Sequence, residues 1–295
     1  MRVLLVDVDS KIPNLALKQL SQYYKDQGDE VGFDVLNPNK VYISCIFTKN
    51  RGKALGIGKM FPNAEIIVGG SGINYTWLPP EIQKTKPDYS LYRDEYYSQG
   101  FTTRGCPRKC LPCIVRDKEG KYQRWQHVKE FHDDKFNTVM LMDNNILADK
   151  EWFFENTDWI IERKLKIIEH GMDIRLLTNE IAEQLSKIKF IPTLHFAFDS
   201  IDTEEDVEIG CGILYDNHFN LRQNIQFYVL AGFDDSTFED ALYRCRRLKE
   251  LGTNAYVMPY HKKDKRINKL ARWANRKQAY WSGDFSLDFK KKEKQ

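Results

Sequence analysis

Apolar residues recur along the chain in two rhythms. Short β-branched runs mark strands, and longer stretches with apolar positions three and four apart mark helices. Residues 3–8, Val-Leu-Leu-Val-Asp-Val, read as a buried strand. Ser10 is placed to cap a helix with Pro13 in its first turn, and Ala16, Leu17, Leu20, Tyr23 and Tyr24 keep helical spacing until Gly28 stops it. Further strand-like runs lie at 31–36, 41–47 and 65–68, the last leading into Gly69-Gly70-Ser71-Gly72. This alternation predicts a parallel sheet with helices on its faces. Residues 76–97, rich in proline and aromatic side chains, read as a connecting loop.

From Phe101 the alternation starts afresh. Strands are expected at 100–103, 138–142, 166–174, 193–198, 225–230 and 255–258. Helices are expected at 126–132, 151–163 and 180–188, in a short piece after Thr203, and at 237–251 and 266–280. The helix at 237–251 is the best marked. Ser236 and Glu239 have the spacing of a capping box, and Phe238, Ala241, Leu242, Cys245 and Leu248 line one face, which makes Cys245 a core residue. Six units between residues 101 and 281 match roughly 30 residues per βα unit, whereas a closed eight-unit barrel takes about 250. The expected class is α/β: a doubly wound Rossmann-like domain over 1–97, a partial (β/α)6 TIM barrel over 98–281, and a basic C-terminal tail over 282–295. Right-handed crossovers would open all the strand C-termini of such a barrel on one face, where chemistry is to be sought.

Composition narrows the class. With 17 Phe, 15 Tyr and 6 Trp in 295 residues the chain has too many large apolar groups to be disordered. Its apolar runs fall far short of the roughly 18 residues of a membrane span. The first residues, Met-Arg-Val-Leu-Leu-Val-Asp, reach an acid after four apolar positions and show no cleavage pattern, so a cytoplasmic location is expected. Six cysteines are too few for a disulfide scaffold, and in a reducing compartment a cluster of them points to metal binding or chemistry.

Three of the six do cluster, in Thr102-Thr103-Arg104-Gly105-Cys106-Pro107-Arg108-Lys109-Cys110-Leu111-Pro112-Cys113. Thiolates separated by three and then two residues can close around one soft metal centre, leaving one iron of a four-iron cluster open. Structural zinc would need a distant fourth ligand, since no further cysteine is near and the first histidine is His127. Three thiols together in a reduced loop without a metal is the remaining alternative.

In this segment the chain resembles the radical S-adenosylmethionine superfamily over residues 101–281. The resemblance implies a 4Fe-4S cluster held by Cys106, Cys110 and Cys113, with the open iron binding the methionine part of S-adenosyl-L-methionine. It further implies reductive cleavage to a 5'-deoxyadenosyl radical that abstracts hydrogen from a substrate, fed by a reductant such as flavodoxin or ferredoxin. The family usually has an aromatic residue before the last cysteine; here it is Pro112.

Cofactor contacts carried over from the resemblance fall at the strand ends. Asp143, Asn144 and Asn145 offer oxygens to the methionine ammonium, or cap the helix beginning near Lys150. Asp173 and Arg175 flank Ile174 and share a face, and Arg175 can fork onto the carboxylate of cofactor or substrate. Asp199 and Ser200 stand at the position that contacts the ribose, or form a loop cap. Gly232 and Asp234, then Tyr260 and His261, complete the rim; His261 is either a general acid or base or a surface residue opening a basic run.

The N-terminal region is similar in layout to the cobalamin-binding domain found ahead of such barrels. It has no histidine before His127, so it lacks the Asp-x-His-x-x-Gly ligand of cobalt and is expected not to bind cobalamin tightly. Gly56-Ile57-Gly58-Lys59 lacks the leading glycine and the Ser/Thr of a P-loop. Asp7, Asp9 and residues 69–72 sit where substrate could be met. Seven Lys or Arg between Arg104 and Arg124, and eight between Lys262 and Lys277, could serve an anionic or nucleic-acid partner, or be the solvated side of helices such as the one carrying Ile267, Leu270, Ala271 and Ala274. The classes left open are a radical enzyme acting on an unidentified substrate, one that modifies nucleic acid or nucleotides, and a non-catalytic iron–sulfur regulator or electron carrier. No membrane partner is expected.

Overall fold

The computed structural model describes residues 1–233, 236–261 and 263–287. Asp234, Lys262 and the lysines of the tail beyond 287 lie outside the described residues. The chain packs as two units, Met1–Cys106 with Ile114–Met142, and Pro107–Cys113 with residues from Asp143 onward. Both are mixed α/β with parallel strands.

The first unit opens with β1 (Arg2–Asp7), α1 (Leu15–Asp26), β2 (Glu30–Gly32), β3 (Lys40–Ser44), α2 (Arg51–Gly58) and β4 (Glu65–Gly69). The strands form one parallel sheet in the order β2-β1-β3-β4, with Leu4 opposite Val41 and Ile43 opposite Val68. Alternation along β1 sends Val3 and Leu5 to one face, against Leu17, Leu20 and Tyr24 of α1. Leu4 goes to the other, against Val41, Ile43 and Ala54 of α2.

Local details depart from the sequence reading. The cap of α1 is Asn14, whose side chain accepts the Leu17 N–H at 3.2 Å; Pro13 precedes the helix, and Ser10 accepts a hydrogen bond from the Asn14 amide. Gly28 ends the helix at φ +77°, as its position predicts. Of the run at 31–36 only Val31 and Gly32 belong to β2, and Val35 turns away to pack with Leu4 and Val41. Asp7 and Asp9 are taken up by neighbouring backbone and side-chain donors. Asp7 accepts from Ser10 N–H and Tyr92 Oη, and Asp9 from the N–H groups of Ile46 and Phe47 and the amide of Asn50. The segment 76–97 is irregular apart from one turn, α3 (Pro80–Gln83).

The unit continues with β5 (Ser98–Gly100), β6 (Thr103–Arg104), α4 (Val115–Glu119), β7 (Gln123–Arg124), α5 (Val128–Phe131) and β8 (Thr138–Leu141). β5 runs parallel to β8, while β6 and β7 form a short antiparallel pair, so the single strand expected at 100–103 is two pieces.

The second unit contains α6 (Lys150–Glu162), β9 (Lys166–Ile168), α7 (Asn179–Ser186), β10 (Lys189–Phe190), β11 (Leu194–Ala197), α8 (Glu204–Asp216), α9 (Leu221–Asn224), β12 (Ile225–Ala231), α10 (Phe238–Glu250), β13 (Asn254–Pro259), α11 (Lys265–Ala274) and α12 (Lys277–Ser282). β9 and β10 pair in parallel, as do β11, β12 and β13. The capping box of α10 is Thr237 with Asp240, not Ser236 with Glu239. Thr237 Oγ1 accepts the Asp240 N–H at 3.1 Å, and Asp240 Oδ2 accepts the Thr237 N–H at 3.0 Å. The helix expected at 266–280 is broken at Asn275, whose side chain bonds both backbone groups of Val257 at 2.7 and 3.0 Å and is thereby held to β13. α8 has 13 residues where only a short piece was expected. Cys245 is fully buried, as its helix face predicts. Among the described residues no helix is long and apolar enough to cross a membrane.

The first unit buries one ion pair. Lys18 Nζ meets Glu95 Oε1 with side chains 0% and 1% exposed, and the ammonium lies 3.9 Å from the Tyr89 ring centroid. Burial lowers the Lys18 pKa to about 8 against the opposing pull of Glu95. Glu95 Oε2 has no hydrogen-bond partner. Such a pair contributes little net stability, yet removing one partner strands a buried charge. Lys18→Met is therefore expected to lower unfolding free energy by about 3–5 kcal/mol, and Lys18→Met with Glu95→Leu to recover most of that loss in urea titrations. A single variant as stable as the parent would refute the charge-burial account.

Candidate functional site

In the second unit the carboxylate of Asp173 gathers the charged groups. It caps the turn at residues 174–176 by accepting the Arg175 N–H at 3.3 Å, and its two oxygens then receive the Arg175 guanidinium at 2.6 and 3.1 Å. Arg108 Nε reaches Oδ2 at 2.8 Å, and the Asn145 amide approaches the same oxygen at 3.4 Å. Asp173 is 8% exposed. Burial pushes its pKa up, but the hydrogen bonds from Arg175 and Arg108 outweigh that and hold it below the ordinary carboxylate value; the same bond to Asp173 raises the pKa of Arg175. Arg175 Nη2, which also donates to Asp173, lies 3.9 Å from Cys110 Sγ.

This cluster joins four residues from three separate stretches of sequence. The reading at 143–145 as a cap for α6 is not what the structure has: Asp149 caps that helix, accepting the Trp152 N–H at 3.1 Å. Asp143 and Asn145 are buried and Asn144 is half-buried. Arg108, which sequence reasoning counted only among the basic residues, is the partner that it missed; its place two residues before Cys110 was the available signal.

A second group lies at the ends of β11 and β12. Asp199 Oδ1 accepts the Leu230 N–H at 2.7 Å, and burial raises the Asp199 pKa. Arg244 on α10, 1% exposed, donates to the carbonyls of Phe198 at 2.6 Å and Leu230 at 2.9 Å and to Ser236 Oγ at 2.8 Å. Its guanidinium therefore fixes both strand ends, a role that no spacing on the α10 face announces. Ser200 accepts the Asp202 N–H at 3.2 Å and so caps the turn that leads into α8. Gly232 has φ +77°, and a Cβ there would stand 2.6 Å from Ile267 Cδ1. The Tyr260 ring packs edge-on against Phe233 and His261, at centroid distances of 4.8 and 4.6 Å.

A buried pair behind β9 was also missed. Glu169 Oε1 receives both the backbone N–H and Nδ1 of His195 at 2.7 Å, and the imidazole stacks on Tyr228 at 5.0 Å.

Among the cysteines, Cys110 and Cys113 are exposed in the second unit, joined by a turn in which the Cys113 N–H donates to the Cys110 carbonyl at 2.9 Å. Cys106 is half-buried in the first unit, where its carbonyl accepts from Arg116 at 3.2 Å. Gly105 before it has φ +71°, and a Cβ there would run into the Lys121 carbonyl, so only glycine fits. Among the described residues no group of three or more His, Cys, Asp or Glu side chains is arranged to hold a metal ion. No protein-family model matches the chain, and no curated protein matches it.

Asp173→Asn is expected to cost about 2 kcal/mol at pH 7, the range for hydrogen bonds to charged groups. Because the folded carboxyl titrates below its ordinary 3.8, that contribution is present above pH 4 and fades as pH falls further. Urea titrations of parent and variant should therefore converge in acid. A gap that stays constant down to pH 2.5 would contradict the ionic origin.

Proposed function

We propose that the chain is a radical S-adenosylmethionine enzyme, with a Rossmann-like domain preceding a partial (β/α)6 barrel. The parallel pairing of β11, β12 and β13, with helices in the connections between them, supports the barrel reading. The observation that carries the function is the cysteine segment itself. Three thiols separated by three and two residues sit on a loop, and a guanidinium locked by Asp173 stands beside Cys110.

The donor set fits a 4Fe-4S cluster in its chemistry: three soft sulfur ligands, two of them exposed, with the Arg175 guanidinium beside one of them. Cys106, Cys110 and Cys113 would hold it. When bound, the cluster supplies the electron that splits S-adenosylmethionine into methionine and a 5'-deoxyadenosyl radical able to take hydrogen from a substrate carbon. The protein's own groups bind and orient. Arg175, anchored by Asp173, offers a fork to a carboxylate without leaving its place. Asp143 and the side-chain oxygens of Asn144 and Asn145 can accept from an ammonium group. Asp199, fixed by the Leu230 N–H, is an acceptor for ribose hydroxyls. A low-potential donor of the flavodoxin or ferredoxin kind would deliver the electron.

Anaerobic reconstitution with iron and sulfide should load about four irons per chain. Dithionite with S-adenosylmethionine should then release 5'-deoxyadenosine and methionine. The variant with Cys106, Cys110 and Cys113 all replaced by Ala should load none, while Arg175→Ala should keep its iron and show a raised KM for S-adenosylmethionine. Full iron in the triple variant, or uptake of zinc alone with sulfur ligation, would overturn the reading.

A further inference from the structure

The first unit encloses a cavity of about 470 Å³ at the C-terminal ends of β3 and β4, beside the first turn of α1. That size suits a drug-sized organic molecule. Leu17 and Leu20 of α1 line it together with Tyr42 and Ile67 of the facing sheet surface, and aromatic rings including Trp77 and Phe101 stand around it.

The charged residues that line the cavity are cationic. Lys11, Arg104 and Lys118 line it, and among the described residues no Asp or Glu does. The two nearby acids singled out in the sequence, Asp7 and Asp9, are held by Ser10, Tyr92, Ile46, Phe47 and Asn50. Glu119, outside the lining, pairs with Arg104 at 3.1 Å and with Lys118 at 3.8 Å, so it balances only part of the positive charge. The Arg104 guanidinium lies 4.5 Å from the Trp77 ring centroid and 4.0 Å from that of Phe101, and Trp77 donates its indole N–H to the Lys118 carbonyl at 2.7 Å. Ring surface and positive charge thus meet on one wall. Leu15, Ala16 and Leu17 bring the N-terminal end of α1 to the cavity, and this helix carries no acidic residue in its first turn to offset the positive end of its dipole.

We infer that this cavity is a binding site for a small organic anion with an apolar, ring-bearing body, its carboxylate or sulfonate directed to Arg104 and Lys118. The site belongs to the first unit alone and does not depend on Cys106, Cys110 or Cys113.

The probe is 1-anilinonaphthalene-8-sulfonate, compared with its uncharged counterpart N-phenyl-1-naphthylamine, each titrated by fluorescence into the intact chain. One saturable equivalent is expected, with the anion bound about tenfold more tightly, a difference of about 1.4 kcal/mol. Gly69 lines the cavity on the same strand face as Ile67, and nothing lies within 4 Å of a Cβ built there, so Gly69→Phe fills the space. This variant should weaken both probes at least about tenfold. Lys118→Glu should remove the preference for the anion while leaving the neutral probe unchanged, a readout that does not rely on Gly69→Phe folding. Equal affinity for the two probes, several weak sites, or an anion preference that survives Lys118→Glu would overturn the inference.

Discussion

Asp173 holds two guanidiniums, one from 65 residues earlier in the chain and one from two residues later. A carboxylate whose side chain is 8% exposed would be costly alone, and here both arginines donate to it. Together they form a charge-assisted network in which each group pins another. Through Arg108 the network fixes the residues just before Cys110, through Asn145 the stretch ahead of α6, and through Arg175 a cation beside the Cys110 sulfur. The geometry of the candidate site in the second unit rests on this one acid.

The sheet of β11, β12 and β13 supplies a second fixed frame. Parallel pairing brings the ends of neighbouring strands to the same level, and there Arg244 bonds two carbonyls while Asp199 takes the Leu230 N–H. A buried cation, Arg244, and an exposed acid, Asp199, each tied to backbone, keep charged groups paired at the strand ends. Preorganisation of this kind is what a site needs when it must orient a polar cofactor, because bonds already made to the protein limit how far each group can turn.

Much of this was legible in the chain. The continuous apolar run of β1 and the helical spacing of α1 and α10 located those elements, since a strand covered on both faces is apolar throughout and a helix that buries one face repeats with its turn. Strand lengths were less legible. β9 stops at Ile168, where Glu169 leaves the strand to bind His195, and β2 stops where Val35 changes face; both endings are set by tertiary partners. Caps shifted for a related reason: Asn14 and Thr237 are one to four residues from equally suitable capping residues, and backbone direction decided between them. At the candidate site Asp173 and Arg175 were visible as a pair sharing a face. Arg108 and Arg244 were not, because a paired arginine in a basic sequence looks like a solvated one until its partners are known.

The most direct test of the radical-enzyme proposal is electron paramagnetic resonance of the anaerobically reconstituted, dithionite-reduced protein with and without S-adenosylmethionine. A cluster held by three cysteines, with its fourth iron open to the cofactor, should give a signal whose g-values shift on addition of S-adenosylmethionine. The signal should also be absent from the triple cysteine variant. A reduced cluster whose spectrum is indifferent to the cofactor, or a protein that forms no paramagnetic cluster at all, would contradict the assignment.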